Sequence, residues 1–241
     1  MVLGFFVVWR DAMDNTAILV DGGFYRKRLE MEWKSCSPEK SAEVLLDYCK
    51  RHLVENGEIR SLYRIFYYDC PPVSKNVFDP LSNKTVNFGK SDGFVRMSGF
   101  LNALKEKRKV ALRLGSLDDG NIVYTFTYDT VKRICDGSLK RQGLDRSCLQ
   151  LSLKQKGVDM KIGLDIASLA YKRQVGQIVL IAGDSDFVPA AKLARKEGID
   201  FILDPLGMNL SHDNGLFEHV DGIRTLGDPY KLYGPMTDES L

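Results

Sequence analysis

The sequence has no apolar run approaching the roughly 18 residues of a membrane-spanning helix, so no transmembrane segment is expected in its 241 residues. Histidine is scarce: His52, His212 and His219 show neither HxH nor HxxxH spacing, which argues against a zinc site. The five cysteines, at 36, 49, 70, 135 and 148, are odd in number and form no CxxC pair. Scattered cysteines of this kind fit a reducing compartment, and a cytoplasmic protein is expected. No serine stands in a GxSxG elbow, no cysteine has a histidine at a recognisable spacing, and Gly22-Gly23 lacks the GxxxxGKS/T spacing of a phosphate loop. Internal repeats and low-complexity segments are missing too. The short apolar stretch near the N-terminus has no basic residue before it and meets Trp9-Arg10-Asp11 instead of a small-residue cleavage site. It does not read as a signal; residues 1–14 are expected to be an extension, an extra edge strand or a docking segment.

Charge is present in both signs and unevenly placed. The chain carries 34 Lys and Arg against 32 Asp and Glu, a net +2, but from Pro205 onward there are two basic and six acidic residues. The first 204 residues are therefore basic. Their basic clusters fall at 26–28, 105–109, 132–133, 140–141 and 154–156. Such clusters either track a phosphate backbone or form solvated helix faces.

The apolar pattern alternates between two periods. Ala17 to Val20 is a β-type run that ends at Asp21; residues 61–69, SLYRIFYYD, are aromatic and branched and end at Asp69 before Pro71-Pro72. Residues 41–53 place apolar side chains at i, i+3, i+4, i+7 and i+11, as a helix does. Residues 73–92 read as a long polar loop and 99–109 as a helix. KVALRLGSL reads as a third strand, with NIVYTFTYD as its hairpin or edge partner, and 130–150 as irregular. From 154 a helix, the strand QIVLIAGD, a helix with Pro189 in its early turns and Gly198 at its stop, and the strand IDFILDPLG follow one another. Alternating strands and helices imply right-handed βαβ units and a mostly parallel sheet covered on both faces.

In an open parallel sheet, sites form outside the carboxyl ends of the strands. Asp21, Asp69 and Asp184 each follow an apolar strand at that end, and Asp186 lies two residues past Asp184. Asp159 and Asp165 frame the start of the preceding helix, where Asp165 interrupts the apolar series Ile162, Leu164, Ile166 and Leu169. Carboxylates forced together either take up protons more readily or hold a divalent cation. A donor set of hard oxygen without His or Cys points to Mg²⁺ or Mn²⁺, and the usual task of such a centre is phosphoryl chemistry. Each acid also has a plainer reading: Asp186 as a helix cap, Asp69 as turn chemistry, Asp159 as a helix-start acid, Asp165 as the partner of a buried cation. Asp21 and Asp184 are the hardest to explain away. An aspartyl-phosphate enzyme would need a DxD motif where this chain has DGG.

The stretches AILVDGGFYRKR, IFYYDCPP, QKGVDMKIGLDIASLA and IVLIAGDSDFVPAAKLARKEGIDFILDPLG together resemble the NYN domain, in its LabA-like branch, within the PIN-like nuclease superfamily. The likeness lies in the first two strands and in 155–207; residues 73–150 carry little of it beyond LRLG before a polar turn. The resemblance implies a Rossmann-like three-layer α/β/α sandwich over residues 15–225, with an insertion at about 73–150 and a tail at 226–241. It implies metal-dependent RNA cleavage, with RNA as partner, no membrane association, and a homo-oligomer left open. Carried over residue by residue, it gives Asp21, Asp159, Asp184 and Asp186 as metal-holding catalytic acids and Asp165 as a further catalytic acid. Lys156, Lys107, Arg108, Lys140 and Arg141 are the expected substrate contacts. The chain departs from the family at Phe24, where many relatives carry Asn three residues after the first acid. A polar contact is absent there, and the alternative implied is a non-catalytic RNA-binding or regulatory module on the same fold.

Overall fold

The computed structural model describes residues 14–55, 57–118, 122–208 and 215–234. Nearly all of the N-terminal segment and the end of the tail, 235–241, lie outside the described residues. The chain divides into two compact units. The first comprises Met1–Asp69, Gly99–Leu114 and Gly157–Leu241; the second comprises Cys70–Ser98 and Gly115–Lys156.

The first unit is built on six strands: β1 (Asn15–Asp21), β2 (Ser61–Asp69), β3 (Val110–Leu114), β4 (Gln177–Ile181), β5 (Asp200–Asp204) and β6 (Gly222–Ile223). Their order across the sheet is β6-β5-β4-β1-β2-β3, and every pairing is parallel. From β1 the chain steps outward through β2 and β3, then returns to the middle and steps the other way through β4, β5 and β6. Right-handed crossovers therefore place the helices of the two halves on opposite faces. The result is the α/β sandwich expected from the alternating pattern, and the reversal of direction falls between β1 and β4.

The burial follows from that position. All five residues of β4 and the five central residues of β1 are buried. A strand covered on both faces is apolar along most of its length, which is why these read as runs and not as alternations. Each buried Ile, Leu or Val contributes about 1.5–3 kcal/mol, so a charge at Leu19 or Leu180 would be enough to break the sheet. At the amino ends the middle strands are sealed by polar side chains: Thr16 Oγ1 donates to Gln177 Oε1 at 3.0 Å and Gln177 Nε2 donates to Asp200 Oδ2 at 2.7 Å.

Helix 158–171 forms as expected. Leu164, however, is exposed, and the buried series is Ile162, Ile166, Leu169 and Ala170. The helix expected over 99–109 instead runs from Asp92 to Lys105. The basic run therefore leaves the helix and turns, with Lys109 at φ 62°, into β3.

The second unit differs most from expectation. The polar segment 73–92 is not an open loop: Asn76–Asp79 pairs antiparallel with Lys84–Asn87, and Asp79 accepts from Leu81 N and Ser82 Oγ in the connecting turn. Residues 123–126 do not pair with β3. They form an antiparallel pair with Leu149–Ser152, which begins at the end of the segment expected to be irregular. β3 is instead the edge of the main sheet, paired in parallel with β2 through a crossover connection. Between the two strands of the antiparallel pair a helix, Tyr128–Cys135, starts at a Thr127 cap.

Candidate active site at the reversal of strand order

In sheets of this order, ligands bind outside the carboxyl ends of the strands where the order reverses. Asp21 is the last residue of β1, and Asp184 follows β4 by three residues. They flank that point and line one cleft of about 390 Å³ together with Phe24, Lys27, Gly183 and Met208.

Each of the two acids is fixed by the backbone turn that follows it. Asp21 caps the helix Gly22–Arg28, accepting from Phe24 N at 3.1 Å. Asp184 caps the turn at Ser185–Phe187, accepting from Asp186 N at 3.0 Å. One carboxylate oxygen is engaged in each case. Gly22 permits the first of these turns. A Cβ there would lie 2.5 Å from the Tyr67 ring and 2.6 Å from Asp69 Oδ2.

Asp159 links the group. It stands in the first turn of helix Val158–Tyr171. Its own carboxyl is pushed up by partial desolvation and then by the charges of Asp184 and Asp186. Asp21 is also raised, first by burial and then by the charges of Asp159 and Asp69, against the lowering effect of its bond to Phe24 N. Asp159 thus lies within reach of the charges of Asp184 and Asp186 on one side and of Asp21 on the other.

Asp69 and Asp165 are held differently. Asp69 is 1% exposed; Arg26 grips both of its oxygens at 2.9 Å and Tyr67 Oη donates at 3.0 Å. Asp165 accepts from Tyr68 Oη at 2.9 Å and from Arg113 Nε at 2.8 Å. A carboxylate so occupied has fewer lone pairs for a ligand.

The expected basic contacts are scattered. Lys107 and Arg108 sit in the turn that enters β3, at the amino edge of the sheet, and Lys107 lies 3.8 Å from Glu43. A parallel strand runs from that edge to the cleft side, so the fold does not bring these two to the acids. Lys140 and Arg141 are exposed on the second unit. Lys156 belongs to the second unit as well and pairs with Asp118 at 2.9 Å.

Lys27, from the basic cluster at 26–28, stands one helical turn beyond Phe24 and lines the cleft. One feature escaped sequence reasoning. Asp204, at the end of β5, is wholly buried and accepts from Tyr48 Oη (2.5 Å), His52 Nε2 (2.9 Å), Leu206 N (2.8 Å) and Thr225 Oγ1 (3.1 Å). Its strand position, after an apolar run, was the only signal available.

Among the described residues, no three His, Cys, Asp or Glu side chains stand close enough to grip one ion between them. The chemistry of the donor set nevertheless suits a hard cation, since every candidate is a carboxylate. Mg²⁺ keeps several waters and is commonly bound by one or two carboxylates, and Asp21 and Asp184 are the two that line this cleft.

The NYN domain family matches residues 80–206. The match covers more than half of the chain, and the protein belongs to that family. It takes in Asp159, Asp165, Asp184 and Asp186 and runs through most of the segment whose resemblance was weakest; Asp21 precedes it. Membership points to a nuclease-like, RNA-related function, and NYN nuclease domains generally use divalent metals. No curated protein and no solved structure shows significant similarity to the chain. Among the described residues no helix is long and apolar enough to cross a membrane.

Proposed function

We propose that the protein is a metal-dependent ribonuclease that hydrolyses phosphodiester bonds of single-stranded RNA at the cleft between β1 and β4. The observation that carries this reading is the placement of Asp21 and Asp184. Two carboxylates, capped by backbone only, face one cleft where the strand order reverses, with Asp159 and Asp186 adding to the same negative field. A Mg²⁺ or Mn²⁺ ion would lower the pKa of bound water and offset charge on the phosphoryl group. Asp21 and Asp184 would hold the ion, and Asp159 and Asp186 would orient water by accepting its hydrogen bonds. Lys27 supplies a cation to the RNA backbone on the cleft wall. Asp165 serves structure, through Arg113 and Tyr68. Lys156, Lys140 and Arg141 contribute to RNA affinity from the second unit.

A second reading, an RNA-binding module without turnover, is favoured by Phe24 and by the lack of a three-ligand group among the described residues. The experiment that separates the two is incubation of labelled single-stranded RNA with Mn²⁺, Mg²⁺ or EDTA, beside an Asp184→Asn variant. Cleavage that needs metal and vanishes in the variant is the expected result. RNA bound but intact under every condition would establish the module instead.

A further inference from the structure

We infer that Phe24 and Met208 form a stacking shelf for a nucleobase next to the scissile linkage, an assignment that rests on the ribonuclease reading of the same cleft. The sequence places an aromatic residue three positions after Asp21, and the structure puts its ring to use. Gly183, between β4 and Asp184, is the hinge of the arrangement. A Cβ at Gly183 would lie 2.6 Å from Phe24 Cε2 and 2.7 Å from Met208 Cε. An edge of the ring and the thioether methyl therefore both lie close against the bare backbone of one glycine. Neither is in the core: both are half-buried and line the cleft.

The neighbours of this shelf define its occupant. Lys27, one turn further along the same helix, is exposed and lines the same cleft, while Asp21 and Asp184 carry the opposite charge there. An aromatic ring and a thioether beside a cation and a pair of carboxylates suit a nucleotide unit, with the base on the shelf and the phosphate toward Lys27 and the ion. The cleft, at about 390 Å³, falls within the range of small-ligand sites. Every base has a π-face, so the shelf contributes affinity with little sequence preference. Phe24 thus replaces a polar contact with a stacking one; its contribution is to hold the substrate, and it takes no part in proton transfer.

The test is a fluorescence titration of single-stranded RNA carrying one 2-aminopurine, in EDTA, with Asp21→Asn protein as the background that does not cleave. Stacking quenches 2-aminopurine. Quenching is expected with Phe24 present and with Phe24→Trp. Phe24→Leu, checked for folding by circular dichroism and Tm, should lose the quenching and bind about ten-fold more weakly. Absence of quenching, or quenching that Phe24→Leu leaves unchanged, overturns the shelf. A parallel cleavage assay on the otherwise unaltered chain keeps the two readings apart. Intact RNA with Phe24-dependent quenching retains the shelf and removes the nuclease; metal-dependent cleavage without such quenching does the reverse.

Discussion

Four strands of the sheet lead into an aspartate, and the middle pair differs from the flanking pair. On β2 and β5, Asp69 and Asp204 are buried and saturated by side chains: Arg26 and Tyr67 on one, Tyr48, His52 and Thr225 on the other. On β1 and β4, Asp21 and Asp184 receive only backbone caps and face a cleft. The same residue type at equivalent strand ends is thus used for structure at the flanks and left open for ligand in the middle. Burial with partners contributes stability. Openness beside like charges costs some, and that cost is what a cation would relieve.

The largest break in this comparison is expected at Asp204. Asp204→Ala leaves His52, Tyr48 and a backbone amide without their acceptor in the interior, and should cost about 3–5 kcal/mol in urea denaturation. Asp69→Asn comes next, since Arg26 loses a two-point carboxylate; a loss of about 1.5–3 kcal/mol is expected, the range for hydrogen bonds to charged groups. Asp21→Asn should do almost nothing to the apo protein, within about 1 kcal/mol, because Asn caps a helix as well as Asp does. What it should remove is the rise in Tm that Mg²⁺ or Mn²⁺ gives the unaltered chain, a linkage effect of binding to the folded state. An unchanged metal-induced rise in that variant would place the ion elsewhere.

The smallest effect is in pH. Burial and like charge raise the carboxyl of Asp21 above its ordinary value of 3.8, so the folded chain binds that proton more tightly than the unfolded chain does. The stabilisation is complete below the ordinary value and is lost as pH rises through the raised one. Asp21→Asn removes this loss. Its stability relative to the unaltered chain should therefore increase as pH climbs through that window, and a flat difference would mean that neither burial nor like charge raises the Asp21 carboxyl.

Much of this was legible in the sequence because β1 and β4 carry apolar runs, residues 17–20 and 178–182, with an acid directly after the first and two residues after the second. That pattern locates a buried strand and its carboxyl end together. The saturation of Asp69 and Asp204 was not legible, since Asp204 meets Tyr48 and His52 across more than 150 positions of chain. Nor was the fate of Lys107 and Arg108: a basic run shows charge but not which end of the sheet it will occupy. The hairpin at Asn76–Asp79 and Lys84–Asn87 went unread because its strands are four residues long and bury only Val77, too little for an apolar alternation to stand out. Charge does separate the two units. The second carries eleven Lys and Arg against seven Asp and Glu, whereas the remainder of the chain is net acidic.

The contact at Gly22 has a genetic consequence. Any missense change of a glycine codon adds at least one carbon, and here that carbon would intrude on Tyr67 and Asp69. The position joins the open acid of β1 to the closed acid of β2, so one inherited substitution would disturb both the ligand cleft and the Arg26 clamp. Variants at residue 22 should therefore be depleted in populations that depend on this protein, even though the residue itself carries no chemistry.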